Sequence, residues 1–325
     1  MILRALTVAI AICLIGPLPA SAQSPGYAVV HGWPVMPSGY ALGQVTGVGV
    51  DSHNRVFVFH RAGRAWSEPM PTDRIQGPTI VAFDGRTGEV VQAWGEDLFV
   101  MPHGLEIDAA DNIWVTDVGL HQVFKFGPDG ERLMTLGEAG VPGDDANHFN
   151  RPTDVAVAPD GTVYVADGYE NSRVLKFSAD GRLLGQWGQR GSGPGQFDLP
   201  HGIDLDGQGR VYVADRENDR VQVFDADGRF LTQWSSPAMG RPYGVAIAPG
   251  DGFALVVDGG EQPERGPDRS GASVVGLNGE VRQTFGAYGP YDGQFQLAHD
   301  GAVGADGSLY VVDGLGERVQ KFTPR

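Results

Sequence analysis

The sequence predicts an all-β chain folded as a six-bladed β-propeller, with four antiparallel strands to each blade. Three observations carry that expectation. Forty-nine glycines and 22 prolines in 325 residues, beside an ordinary hydrophobic fraction of 41%, indicate many short strands joined by tight turns around a sizeable core. One strand–turn cassette recurs along the chain. The last copy stops one strand short, and a segment near the N-terminus could supply the missing strand.

The cassette comprises an alternating apolar strand, Asp-Gly or Asp-Asn, a strand ending in Val-x-Asp, and a strand ending in Phe. A further Asp-Gly turn and a strand ending in Trp-Gly often follow. Its clearest copies are Thr153–Trp187 and His201–Trp234, each with the period-two alternation and hairpin signals of four antiparallel strands. The second strands end at Val58-Phe59-His60, Val115-Thr116-Asp117, Val165-Ala166-Asp167, Val213-Ala214-Asp215, Val256-Val257-Asp258 and Val311-Val312-Asp313. Their spacing, about 43–57 residues, is that of propeller blades. The fifth copy, around Gly240–Gly286, is the least regular and carries a Gly/Pro/charge-rich insertion at Gly259–Gly271. The sixth ends after its third strand at Phe322. Tyr27–Trp33 resembles the absent outer strand, and pairing it there would close the ring and remove an exposed edge. An open two-sheet arrangement would leave the common register of six copies unexplained.

Residues 1–22 read as a secretory signal. Arg4 gives a positive start, Ala5–Leu18 is apolar but too short to span a bilayer, and Ala20-Ser21-Ala22 is a small-x-small cleavage site. The propeller domain is then expected over 23–325, exported to the periplasm or secreted after cleavage near Ala22. The single cysteine, Cys13, lies within the signal, so the mature chain would have no disulfide. A formal charge of −16 argues against nucleic acid as a partner. It also disfavours an anionic membrane surface, and no later run suits membrane insertion. A soluble monomer is expected.

Aligning the copies at the start of their first strands places one residue per blade nearest the axis: Thr46, His103, Thr153, His201, Tyr243 and His299. The histidines fall on blades two, four and six, about 120° apart in a six-fold ring. Three neutral imidazoles converging on one point, with a fourth position open, suit zinc or a similar divalent metal. Separate hydrogen bonds within the ring mouth are the alternative. His31, His53, His60, His121 and His148 share no such register. On the same face, just after the second strands, lie Arg61, Tyr169 and Arg216; Tyr169 and Arg216 each precede Glu-Asn (Glu170-Asn171 and Glu217-Asn218). Two fixed cations and a phenol beside a metal could bind a carboxylate and move a proton. Surface turn residues are the plainer reading. Asp300 stands where blades two and four have Gly104 and Gly202. It could ligate calcium or simply accept a backbone hydrogen bond.

At these residues the chain resembles the peptidyl-α-hydroxyglycine α-amidating lyases, from about Gly43 to Phe322. The likeness is dense in GQVTGVGVD, PHGLEIDAADNIWVTDVGLHQVFKF, NHFNRPTDVAV, DGYENSRV and VADRENDRVQVF. It implies a six-bladed propeller of NHL-type repeats with an axial zinc on His103, His201 and His299. It also implies a structural calcium on Asp300 and the backbone carbonyls of Val48 and Leu105. Arg61, Tyr169 and Arg216 fall on the substrate and catalytic residues. The implied enzyme is a zinc-dependent carbon–nitrogen lyase that splits a carbinolamide, a small molecule or peptide with a terminal carboxylate, into an amide and glyoxylate. Leu297-Ala298 replaces the Met-Pro usual before the last histidine, altering the pocket wall. A non-enzymatic propeller that binds a ligand or protein on this face is the rival reading. A calcium-dependent lactonase is a third, disfavoured by the three histidines.

Overall fold

A computed structural model describes residues 26–260 and 269–325. The predicted signal segment lies outside the described residues, as does much of the insertion in the fifth repeat. Among the described residues the strands form six four-stranded antiparallel sheets, the six blades foreseen from the repeat. No helix among them is long and apolar enough to cross a membrane.

Five blades run in simple sequence order, and the sixth is completed from the N-terminus. Tyr27–Val29 pairs antiparallel with Arg318–Pro324, Tyr27 opposite Pro324 and Val29 opposite Phe322. The closing strand is shorter than the expected Tyr27–Trp33. After Val30 donates to the Lys321 carbonyl, the chain turns through Gly32 at φ 73°. Trp33 instead buries its indole against Phe83 of blade one and Tyr310 of blade six. The pairing removes an edge, and the indole seals the seam between first and last blades.

Burial explains the strand patterns. The second strands, such as Val163–Asp167 and Val211–Asp215, are buried throughout because both faces meet neighbouring blades. Outer strands such as Leu183–Trp187 alternate between half-buried and exposed, and the indoles of Trp94 and Trp187 pack on Phe126 and Phe224 of the next blade.

The recurring Val-x-Asp has a structural cause. Each aspartate is buried and accepts backbone N–H groups from the segment entering its own blade. Asp117 binds Val100 and Met101, Asp167 binds Asn150, Asp215 binds Asp198, Asp258 binds Arg241, and Asp313 binds Gln296 and Leu297. The motif ties the crossover loop to the mouth of the ring, satisfying groups that burial would otherwise orphan.

The innermost strands are Val45–Val50, Pro102–Ile107, Asp154–Val157, Pro200–Leu205, Pro242–Ile247 and Ala298–Val303. Five of them break register with the second strand near their start. The break skips Thr46, His103 with Gly104, His201, Tyr243 and His299. These are the axial residues of their blades. A bulge frees a residue from the ladder and re-aims its side chain; here it directs them at the axis.

Candidate metal centre and adjoining pocket

The three histidines meet. Their ring centroids lie 4.8, 4.8 and 4.9 Å apart, and one nitrogen from each lies within 4.8 Å of the other two. All three side chains are buried. Nδ1 of His103 donates to the Thr153 carbonyl at 2.6 Å, that of His201 to Tyr243 at 2.8 Å, and that of His299 to Thr46 at 2.8 Å. A carbonyl can only accept, so each Nδ1 carries the proton and each Nε2 presents a lone pair. The carbonyls belong to the axial residues of blades three, five and one. Even-numbered blades therefore supply imidazoles and odd-numbered blades fix their tautomers.

Electrostatics keep this trio neutral. Burial is the largest influence on each. After burial, His299, Arg61 and Arg216 push His103 further below the ordinary imidazole value, and Arg216, His103 and His299 do the same to His201. Burial, then Arg61, brings His299 down to about 3. Three buried neutral imidazoles with converging lone pairs can hold a divalent metal ion. The bonds within the ring mouth that offered an alternative to metal binding are present, but these carbonyl bonds engage Nδ1 and not Nε2.

Tyr169 stands over this trio. Its hydroxyl lies 2.9 Å from Nε2 of His103 and 3.4 Å from Nε2 of His201. Burial raises its pKa, while Arg216 and Arg61 pull the other way. Arg61 is held by the Pro102 carbonyl at 3.2 Å and Oε1 of Gln44 at 2.7 Å. Trp66, on the segment between the second and third strands of blade one, packs 5.1 Å from the Tyr169 ring and beneath Arg61 at 5.5 Å. Arg216 opens a one-turn 3₁₀ helix, Arg216–Asn218, and stacks over Tyr243 at 4.7 Å and Tyr169 at 5.6 Å. Together Arg61, Trp66, Tyr169, Arg216, Leu297 and His299 line a cavity of about 530 Å³. Arg61 is buried, and Tyr169 and Arg216 are half-buried on their turns. Leu297, the departure noted in the sequence, forms part of the cavity wall.

On the other side of the trio the axis widens into a second cavity of about 320 Å³, lined by Val48, Leu105 and Asp300 among others. Oδ2 of Asp300 accepts the Val48 N–H at 3.1 Å. Carboxylates of this lining that sequence reasoning missed include Glu106, Asp154 and Asp204. Asp154 takes in blade three the register Asp300 takes in blade six, directly after the axial residue, which was a usable signal. Glu106 and Asp204 gave none, because nothing in one strand's alternation shows that six strands converge. Burial raises Asp300 and Asp204 to about 7, and Asp204 adds to the rise at Asp300.

The remaining histidines are dispersed: His31 pairs with Asp292, His148 with Asp145, and Nδ1 of His121 accepts from Arg151. His53 lies near Asp51 and Asp111, but Arg55 already occupies Asp51 at 2.6 Å.

The NHL repeat family matches residues 149–177 and 197–224, within blades three and four. The chain is 35% identical over 328 residues to peptidyl-alpha-hydroxyglycine alpha-amidating lyase 2 of Drosophila melanogaster, covering 94% of this chain and 76% of the fly protein. It is 41% identical over 303 residues to peptidyl-glycine alpha-amidating monooxygenase B of Xenopus laevis, covering 87% of this chain but only 34% of that longer protein. Among solved structures, a streptogramin B lyase superposes with a TM-score of 0.59 at 14% identity, covering 94% of this chain and all of that one. That likeness concerns the fold alone.

Proposed function

Because the chain belongs to the peptidyl-α-hydroxyglycine α-amidating lyase family, we propose that it cleaves the C–N bond of an α-hydroxyglycine carbinolamide, releasing an amide and glyoxylate. The observation that carries this reading is the trio of Nδ1–carbonyl bonds, which turns three Nε2 lone pairs toward one axial point beside Tyr169, Arg61 and Arg216. The ion assigned to His103, His201 and His299 is zinc, as buried neutral imidazoles favour. Bound there, zinc would supply a Lewis acid that polarises the substrate hydroxyl.

The protein's own groups account for the rest. Arg61 and Arg216 bind the substrate carboxylate and counter negative charge that develops as the C–N bond breaks. Both guanidiniums favour the Tyr169 phenolate, against the burial that opposes it. Tyr169 takes the hydroxyl proton, the electron pair closes to the aldehyde of glyoxylate, and the departing amide nitrogen takes a proton back. Behind the pocket, Asp300 with the carbonyls of Val48 and Leu105 is assigned to a structural calcium ion. Export to the periplasm or outside the cell, in monomeric form, completes the reading.

The test is metal analysis of the purified protein with an assay of glyoxylate release from a peptide ending in α-hydroxyglycine. Stoichiometric zinc with equimolar amide and glyoxylate is expected. Absence of both zinc and glyoxylate would leave a propeller that only binds.

A further inference from the structure

Glu217, the acid of the repeated Glu-Asn motif, has no part in the chemistry above, yet its carboxylate touches the pocket's Arg216 from behind. Its Oε1 accepts from Arg216 through Nε at 3.1 Å and Nη2 at 3.0 Å. The same oxygen accepts from Nη2 of Arg241. Arg241 is 3% exposed. It also donates to the Tyr243 hydroxyl at 3.2 Å and lies 5.4 Å from the Tyr243 ring, on which Arg216 stacks from its own side. The equivalent acid of blade three behaves otherwise: Glu170 is half exposed and its partner is Arg151 at 3.4 Å. The shared sequence motif therefore does not explain the burial of Glu217.

We propose that Glu217, anchored by Arg241, is a positioning residue that holds the Arg216 guanidinium in place to receive the substrate carboxylate. The inference rests on the carboxylate-binding role assigned to Arg216. A free arginine loses several rotatable bonds when it docks a ligand, and fixing it beforehand removes that cost from binding. A competing effect has the opposite sign. Glu217 also cancels part of the positive charge that attracts an anion, so on charge alone its removal would tighten carboxylate binding. The direction of change decides between the two.

The experiment titrates N-acetylglycine and its uncharged carboxamide into the zinc-loaded protein, following heat, with zinc content and thermal midpoint measured in parallel. Glu217→Ala is expected to weaken the carboxylate about tenfold and the carboxamide less than about twofold. Glu217→Gln, which keeps an acceptor oxygen in place, should restore most of the loss. In an Arg216→Ala background, Glu217→Ala should add nothing. In turnover, Glu217→Ala should raise KM more than it lowers kcat. Unchanged or tighter carboxylate binding, no rescue by glutamine, or equal loss of both probes overturns the proposal. Should Glu217→Ala fail to fold with Arg241 deprived of its carboxylate partner, Arg241→Met removes the anchor instead and must weaken only the carboxylate. A wild-type protein that does not prefer the carboxylate overturns the role of Arg216 itself, an outcome distinct from a wild type that prefers it while Glu217 variants behave alike.

Discussion

Nδ1 of His201 donates to the carbonyl oxygen of Tyr243 at 2.8 Å, across the boundary between blades four and five. The bond joins two residues that both leave the strand ladder at a bulge. It fixes which nitrogen of His201 is free, so the metal-binding capacity of one blade depends on the backbone of the next.

Removing one imidazole should therefore empty the site without opening the ring. His201→Ala is expected to lose stoichiometric zinc while keeping its β-sheet circular dichroism. Elemental analysis after dialysis against a weak chelator checks it; one zinc per chain in the variant would refute the three-histidine centre.

Tyr169→Phe keeps the ring that packs on Trp66 and deletes the hydroxyl 2.9 Å from His103. The expected outcome is a fall in kcat of about 10²–10⁴-fold with zinc retained, the range of lost general acid–base catalysis. Glyoxylate release at saturating substrate measures it, and an undiminished rate would remove the phenol from the mechanism.

Gly202 follows His201 where the inner strands of blades four and five approach closely. A Cβ there would lie 2.8 Å from the same Tyr243 carbonyl oxygen. Gly202→Ala should cost about 1–3 kcal/mol of stability through overpacking. It should also weaken zinc about 10–100-fold by disturbing the support of His201. Denaturant titration and zinc competition with a fluorescent chelator report the two effects separately.

His60 takes the place of the repeat aspartate in blade one, 1% exposed, and burial lowers its pKa from 6.5 to about 4. Above pH 6.5 it is neutral in both the folded and unfolded chain. As pH falls from 6.5 toward 4 only the unfolded chain gains the proton, so stability is lost over that window. The loss reaches about 3 kcal/mol at most. Urea unfolding at pH 7.5 and 4.5 should show a smaller drop in His60→Gln than in the wild type. Equal drops would mean that His60 does not titrate on unfolding.

Calcium, assigned to Asp300, should raise the thermal midpoint in proportion to the logarithm of its free concentration. Asp300→Asn should abolish that dependence. Scanning calorimetry in chelator and in millimolar calcium makes the comparison, and an identical calcium shift in the variant would place the ion elsewhere.

Much of this architecture is legible in the chain. The Val-x-Asp cassette and its turn signals fixed the blade count, because both are local patterns with a repeating physical cause, later found in the loop-tying bonds of Asp117, Asp167, Asp215, Asp258 and Asp313. Register alone placed His103, His201 and His299 on alternate blades and put Arg61, Tyr169 and Arg216 on their face. The closing strand was visible too, although it ends at Val29, and Trp33 packs in the seam against Phe83 and Tyr310.

Other features needed the closed ring. Glu106, Asp154 and Asp204 gather with Asp300 only when six inner strands converge. Arg241 reaches Glu217 across a blade boundary that no repeat alignment describes. Above all, the bulges that aim the histidines and the carbonyls of Thr46, Thr153 and Tyr243 that set their tautomers arise between strands and between blades. Sequence by itself determined which residues share a position in each blade, since that follows from periodicity along one strand. Tertiary structure decided which atoms of those residues face the axis, since hydrogen-bond register and ring closure depend on partners far away in the chain.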